Sequence, residues 1–233
     1  MEFARFDFCT KPKDIRKQMN YLSLSDKGQR LVKMYSQMAE KGYTTNTGED
    51  VKAAYNSFEL RKIRDVIRNK FTQYEIKTVL DYGCGGSDWN TPGFERELSA
   101  AEFFNLAKVH RYEPAREIDE RTSVDCVVCF DVLEHIFVSD VGTVLRDIFS
   151  YAKKLVVLNV ACYRANALLP NGENAHITVR TPHWWKGAID LISAEHPSVS
   201  VDLICSPNYN RMQAFPTFSD EQRQADGRFC ISY

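Results

Sequence analysis

The stretch Lys77-Thr78-Val79-Leu80-Asp81-Tyr82-Gly83-Cys84-Gly85-Gly86 decides the fold. Its first half is a short apolar run that stops abruptly at glycine. Glycines after a strand let the backbone turn sharply and let a ligand approach closely. In an open α/β sheet, ligands sit beyond the carboxyl ends of the strands, which is where this loop falls.

The rhythm on either side supplies the rest of the sheet. Residues 95–106 read as a helix, Ala107 to Tyr112 as a second strand and Val124 to Phe130 as a third. Asp140 to Tyr151 is helical, Lys154 to Val160 a buried strand, Trp184 to Ala194 helical and Val199 to Cys205 a strand. The segment Gly227 to Tyr233 reads as a last strand. Strands alternating with helices predict an α/β, Rossmann-like fold: a mostly parallel open sheet with flanking helices. Only Glu113 to Ser123 separate the second and third strands, so one βα unit is shortened or missing.

Residues 1–25 are irregular, with Lys11-Pro12-Lys13 as loop. Residues 26–42 place Leu31, Val32, Tyr35 and Met38 at helical spacing, and Thr44 to Gly48 form a turn. Residues 49–70 are helical again, with Ala54, Phe58, Leu60, Ile63, Val66 and Ile67. The chain thus divides into an N-terminal helical cap or lid, 1–70, and a ligand-binding domain, 71–233. The cap aromatics Tyr35, Tyr43, Tyr55 and Phe58, with Met38, serve either as core or as a cover for the site.

Bulk properties limit the function classes. The 233 residues are 44% hydrophobic and 26% charged, which suits a folded domain with a real core. The net charge is -1 and no dense basic run is visible, which weighs against a long grip on nucleic acid. The seven cysteines are odd in number and most lie in apolar runs, as expected of free thiols in a reducing, cytoplasmic setting. No signal-peptide pattern opens the chain, and no apolar run has the length of a membrane span. Cys126 and Cys129 have zinc-like spacing but fall inside a strand, and are assigned to the core.

The second strand ends in His110-Arg111-Tyr112-Glu113-Pro114. An acid at that place accepts hydrogen bonds from both hydroxyls of a ribose. With it, the loop becomes specific. Val79 to Gly85 resembles motif I of class I S-adenosylmethionine-dependent methyltransferases. Asp125 to Ile136 resembles their fourth-strand motif and the helix after it. The resemblance runs from about Phe71 to the C-terminus. It implies that Asp81 helps hold the donor amino group, that Tyr82, Gly83 and Gly85 flank the methionine part, and that Glu113 binds the ribose. It puts the backbone at Phe130 and Asp131 near the methyl donor. Ser87 replaces the third motif glycine. The short segment after Glu113 removes the unit that normally supplies adenine contacts.

Asp131, Glu134 and His135 are spaced i, i+3 and i+4, which on a helix gives one face. With His176 they form a candidate site for a divalent ion, magnesium or manganese, whose open positions take acceptor hydroxyls. The pattern is similar to the O-methyltransferases of ubiquinone biosynthesis and to the small-RNA 2′-O-methyltransferases. Without an ion, His176 or His135 is the general base, since imidazole is poised near neutral pH. The catalytic candidates are therefore His176, His135 and Asp131.

Leu168 to His176 holds a Pro-Asn-Gly turn signal. It is either a turn in which Asn174 bonds the backbone, or an acceptor loop lined by Asn171, Asn174 and His176. One of Trp184 and Trp185 belongs in the core and the other can wall a pocket. The expected activity is O-methylation of a small molecule or glycan. The alternatives are 2′-O-methylation of an RNA terminus and a non-catalytic binding module of the same fold.

Overall fold

The computed structural model describes residues 24–52, 59–208 and 211–215. In chain order these form α1 (Asp26–Lys41), the short hairpin β1 (Tyr43–Thr44) and β2 (Asp50–Val51), α2 (Arg64–Gln73), β3 (Thr78–Tyr82), α3 (Ala100–Phe103), β4 (Lys108–Glu113), β5 (Ile118–Asp119) and β6 (Val124–Phe130). Then come α4 (Val138–Tyr151), β7 (Ala152–Ala161), α5 (Pro182–Ser193), β8 (Ser200–Asn208) and β9 (Arg211–Phe215).

Among the described residues, seven strands make one sheet in the order β5-β4-β3-β6-β7-β8-β9. The five from β4 to β8 run parallel, and β5 and β9 close the two edges antiparallel. The fold is Rossmann-like, as the alternation of strands and helices predicts. The strand order reverses between β3 and β6, so the crevice for a ligand opens at their carboxyl ends. β3 ends at Tyr82 and β6 at Phe130, which brings the glycine loop beside the Asp131 segment.

The central strands are β-branched and apolar because both their faces are covered. Leu80, Val127, Cys129, Val156 and Leu158 pack with Leu145 and Ile148 of α4 and with Trp185 and Ile189 of α5. Val79, Cys126, Val128 and Val157 face the other way, onto Ile67 and Phe71 of α2 and onto Trp89 and Phe104. Cys126 and Cys129 are therefore core residues on opposite faces, as strand alternation requires. Each such side chain, fully buried, stabilises the fold by about 1.5–3 kcal/mol relative to exposure.

The missing βα unit is plain. β4 leads through a single turn, Pro114–Arg116, into the two residues of β5 and then to β6 with no helix between. α1 packs against that turn. Its Leu31 and Met38 join Ala165, Leu169 and Ala175 in a separate apolar cluster. The Ser25 hydroxyl caps α1 by accepting from Gly28 N. Ser25 N and Oγ in turn donate to the Asp140 carboxylate of α4 at 2.9 and 2.7 Å. A carboxylate at a helix N-terminus is favoured by the exposed amides and the helix dipole there.

Several elements differ from the sequence reading. The helix over 95–106 contracts to Ala100–Phe103. Glu95 and Leu98 bond each other, Ser99 and Glu102 form a capping box, and Asn105 ends the turn at φ 53°. Asp50–Val51 pairs with β1 instead of starting a helix, and the α-helix begins only at Arg64. Residues 1–23, with the Lys11–Lys13 loop and Cys9, lie outside the described residues, as do Ala54, Tyr55 and Phe58 and the strand Gly227–Tyr233 with Cys230. Among the described residues no helix is long and apolar enough to cross a membrane.

Candidate functional site

One cavity of about 600 Å³ opens at the carboxyl ends of β3, β4 and β6. Its walls include Asp81 to Gly85, Glu113, Phe130 and Asp131, His135 and His176. Tyr35 and Tyr43 contribute from the N-terminal segment, so α1 covers the cavity. Residues far apart in sequence thus meet on one surface because β3, β4 and β6 are sheet neighbours.

The glycine loop is built for close approach. Gly83 sits at φ 80° and Gly85 at φ 55°, in the left-handed region that glycine enters without penalty. A Cβ on Gly83 would lie 2.3 Å from Val132 Cγ2. Gly83 N and Cys84 N donate to the Tyr112 carbonyl, which ties the loop to β4. Gly85 N donates to Glu113 Oε2 at 2.9 Å, and Ala115 N donates to Oε1 at 3.0 Å. Each oxygen of Glu113 accepts one backbone amide and keeps capacity for another donor. Burial nevertheless raises the Glu113 pKa above the usual carboxylate range, partly offset by those two amides.

Asp81, one residue before the end of β3, is buried under the loop. Trp89 Nε1 donates to its Oδ2 at 2.8 Å. Burial pushes its pKa up to about 7, the Trp89 bond opposes the shift, and Glu113 adds to it. Tyr82 lines the cavity, but its hydroxyl donates to Asp147 Oδ2 at 2.7 Å. Arg121 pairs with Asp147 and Asp119 and lies over the Tyr112 ring, 4.1 Å from its centroid. This network occupies the side where the crossover helix is missing.

The second half of the site follows β6. Asp131 is held at φ 52°, a conformation that costs a non-glycine residue about 1–3 kcal/mol and is common at functional sites. Asp131 N donates to the Asn159 carbonyl, and Asn159 Nδ2 donates to Asp131 Oδ1 at 3.1 Å. Residues 131–135 are not one helix: after Asp131 comes a single 3-10 turn, Leu133–His135. The i, i+3, i+4 spacing therefore does not give the shared face that the sequence suggests. Glu134, His135 and His176 place ligand-type atoms within 4.8 Å of one another, and Asp131 stands outside that group.

Each member of the trio is oriented. Glu134 is fully buried; Ala161 N donates to its Oε1 at 2.8 Å, and its Oε2 has no hydrogen-bond partner. Burial, then the nearby Asp131, raises its pKa well above the usual range. Thr178 N donates to the Glu134 carbonyl, and Thr178 Oγ1 to the Ile136 carbonyl, so His176 is drawn beside His135. The two imidazoles meet edge to face, with ring centroids 4.7 Å apart.

The tautomers follow from the partners. His176 Nδ1 lies 2.6 Å from the Tyr163 carbonyl, and His135 Nδ1 lies 3.0 Å from the Ala175 carbonyl. A carbonyl only accepts, so His176 Nδ1 carries the hydrogen. The Tyr35 hydroxyl, 2.6 Å from His135 Nδ1, donates its one hydrogen to the Ala175 carbonyl, so His135 Nδ1 donates as well and both Nε2 atoms keep the lone pair. Burial, reinforced by His176, lowers the His135 pKa to about 3. Burial also lowers that of His176. Both rings are neutral near pH 7.

The loop residues separate. Asn174 bonds the backbone, accepting from Ala165 N and donating to the Ala165 carbonyl, which is the turn reading. Asn171 is exposed, bonds Glu173 and does not line the cavity, contrary to the acceptor-loop reading. Trp185 is fully buried in the core, while Trp184 walls a separate shallow groove with Cys162 and Arg180. Sequence reasoning missed Trp89, Asn159, Tyr163, Arg121 and Arg164. Only Trp89 carried a signal, its position just past the glycines. Comparison of the chain with protein-family models, curated proteins and solved structures gives no match in any of the three.

Proposed function

We propose that the chain is an S-adenosylmethionine-dependent methyltransferase acting on an oxygen of a small molecule or glycan. One observation carries the reading: the glycine loop, the Glu113 carboxylate and the His135–His176 pair line a single cavity. Its volume of about 600 Å³ suits a nucleoside-sized donor with a small acceptor beside it. When bound, the donor supplies a sulfonium methyl group as the electrophile.

The residues fit that donor. Gly83 and Gly85 leave the backbone bare where the methionine part would pass. Asp81, a buried carboxyl at the end of β3, answers an amino group; Glu113 has acceptor capacity left for ribose hydroxyls. Alignment of the acceptor oxygen with the methyl carbon would supply much of the rate. α1 walls the site through Leu31, Val32 and Tyr35. Without an ion, the neutral His176 imidazole, held through Nδ1 by the Tyr163 carbonyl, takes the acceptor proton at Nε2.

The trio also fits a divalent ion. The buried, partnerless Glu134 Oε2 and two imidazoles with Nε2 lone pairs form a one-carboxylate, two-imidazole donor set. Such a set suits manganese better than magnesium, which prefers oxygen ligands. When bound, an ion there would lower the pKa of an acceptor hydroxyl. The proposal keeps the protein in a reducing, cytoplasmic compartment, where its buried cysteines stay thiols.

The test is methyl transfer from labelled S-adenosylmethionine to a broad panel of hydroxylated acceptors, with and without chelator. Product that depends on His176 supports the reading. Absence of donor binding at high micromolar concentration would remove it. Full activity in chelator would remove the ion and leave His176 as base.

A further inference from the structure

We infer that the acceptor carries a negatively charged group, a carboxylate, and that Arg164 binds it. The inference rests on the methyl-transfer reading of the same cavity. Arg164 is one of the residues that line that cavity, and it is exposed. Among the described residues no carboxylate, carbonyl or aromatic ring engages its guanidinium. The other cations of the wall are occupied: Arg121 by Asp119 and Asp147, and Arg116 by its attraction to Glu113.

Arg164 also rides on a fixed frame. The residue before it gives its carbonyl to His176 Nδ1 at 2.6 Å. The residue after it is clamped by Asn174 on both its N–H, at 3.0 Å, and its carbonyl, at 2.7 Å. Asn46 N then donates to the Asn166 carbonyl at 2.7 Å. The sequence Tyr163-Arg164-Ala165 therefore orients the candidate base and, with the same short backbone, presents a cation that is unpaired among the described residues.

The acids of the wall leave that cation unneutralised. Asp81 is bonded by Trp89, Glu113 by Gly85 N of the glycine loop, Asp131 by Asn159, Asp140 by Ser25 and Asp147 by Tyr82 and Arg121. A planar guanidinium takes a carboxylate through two parallel hydrogen bonds and fixes its orientation. A single cation suits one carboxylate. A phosphodiester chain would call for a row of basic residues, which the described residues of this wall do not form. The acceptor class is thus a hydroxy acid, of sugar or phenol type, with its reacting hydroxyl towards His176.

Calorimetry on the full chain tests this with matched pairs: 3,4-dihydroxybenzoate against 3,4-dihydroxybenzamide, and D-glucuronate against D-glucose. In at least one pair the acid is expected to bind about tenfold or more tighter than its neutral partner. Arg164→Gln should erase the preference, and Arg164→Lys should restore part of it. Equal binding within both pairs, no binding by any member, or a preference that survives Arg164→Gln overturns the inference. Arg164-dependent binding of a short RNA with a free 3′ diol, tighter than either acid, overturns it in favour of a phosphate. S-adenosylmethionine affinity, measured separately on the wild type, reports on the donor reading. A chain that binds the acids but not the donor fails that reading and keeps Arg164 as an anion site.

Discussion

The Tyr35 hydroxyl lies 2.6 Å from His135 Nδ1 and donates to the Ala175 carbonyl at 2.9 Å. The helix that covers the cavity and the imidazole inside it therefore share one junction. Because Ala175 precedes His176, the same junction holds both imidazoles. Tyr35→Phe keeps the ring and removes only the hydroxyl. It should lower unfolding free energy by about 1 kcal/mol, the usual net worth of such a bond. It should also weaken manganese binding about 10-fold or more, since partners of ligating imidazoles tune affinity. Urea unfolding and a manganese titration check the two parts, and unchanged ion affinity would confine Tyr35 to a packing role.

Gly83→Ala tests the close approach of the loop. The new Cβ would meet Val132 Cγ2 at 2.3 Å on a backbone at φ 80°. Both the contact and the conformation are unfavourable, and a loss of about 1–3 kcal/mol in stability is expected. Val132→Ala in the same chain should recover the steric part but not the conformational part. Full recovery in the double variant would show that the left-handed backbone is unimportant.

Asp81 and His135 should give stability profiles of opposite sign. Burial pushes Asp81 up to about 7 in the fold from an ordinary value of 3.8, so the folded chain holds a proton that the unfolded chain releases. Its contribution is full below about pH 4 and is lost as pH rises towards 7. His135 is lowered to about 3 from 6.5, so its contribution is full above pH 6.5 and is lost as pH falls. Asp81→Asn should gain stability relative to wild type between pH 4 and pH 7, by on the order of 2–4 kcal/mol. Thermal or urea unfolding across that range measures the difference. A difference that does not change with pH would mean that Asp81 is ionised throughout.

The parallel strands and the glycine loop were legible because they rest on local pattern. Val79-Leu80 and Val127-Val128 need only an apolar run stopped by glycine or by Asp131. Glu113 was legible from its place at a strand end. The trio was legible in its residue types but not in its geometry. The positive φ at Asp131 breaks the helix that the i, i+3, i+4 spacing assumes, and no local feature of Phe130-Asp131-Val132 announces it. Contacts made by the fold as a whole were not legible at all. Tyr35 reaches His135 across 100 positions and Ser25 reaches Asp140 across 115, so neither pair has a local signature.

Glu134→Gln separates function from stability. The carboxylate is buried with one oxygen unpaired and a raised pKa, an arrangement that does not favour the fold. A neutral amide of the same shape keeps an acceptor for Ala161 N and removes the buried acid. In metal-free buffer the variant should be as stable as wild type, or more stable by about 1 kcal/mol. Its manganese affinity should fall by about tenfold or more, because a charged ligand is lost. A large loss of stability with unchanged ion binding would make Glu134 a structural acid.

Calorimetric titration of wild type and Glu113→Gln with S-adenosylmethionine tests the central claim most directly. Glutamine keeps the volume of Glu113 but has only one oxygen to accept from Gly85 N, Ala115 N and a ribose. The wild type should bind one donor molecule per chain, and the variant should bind it about tenfold or more weakly. A wild type that shows no heat of binding, or a variant that binds as tightly as wild type, would contradict the account.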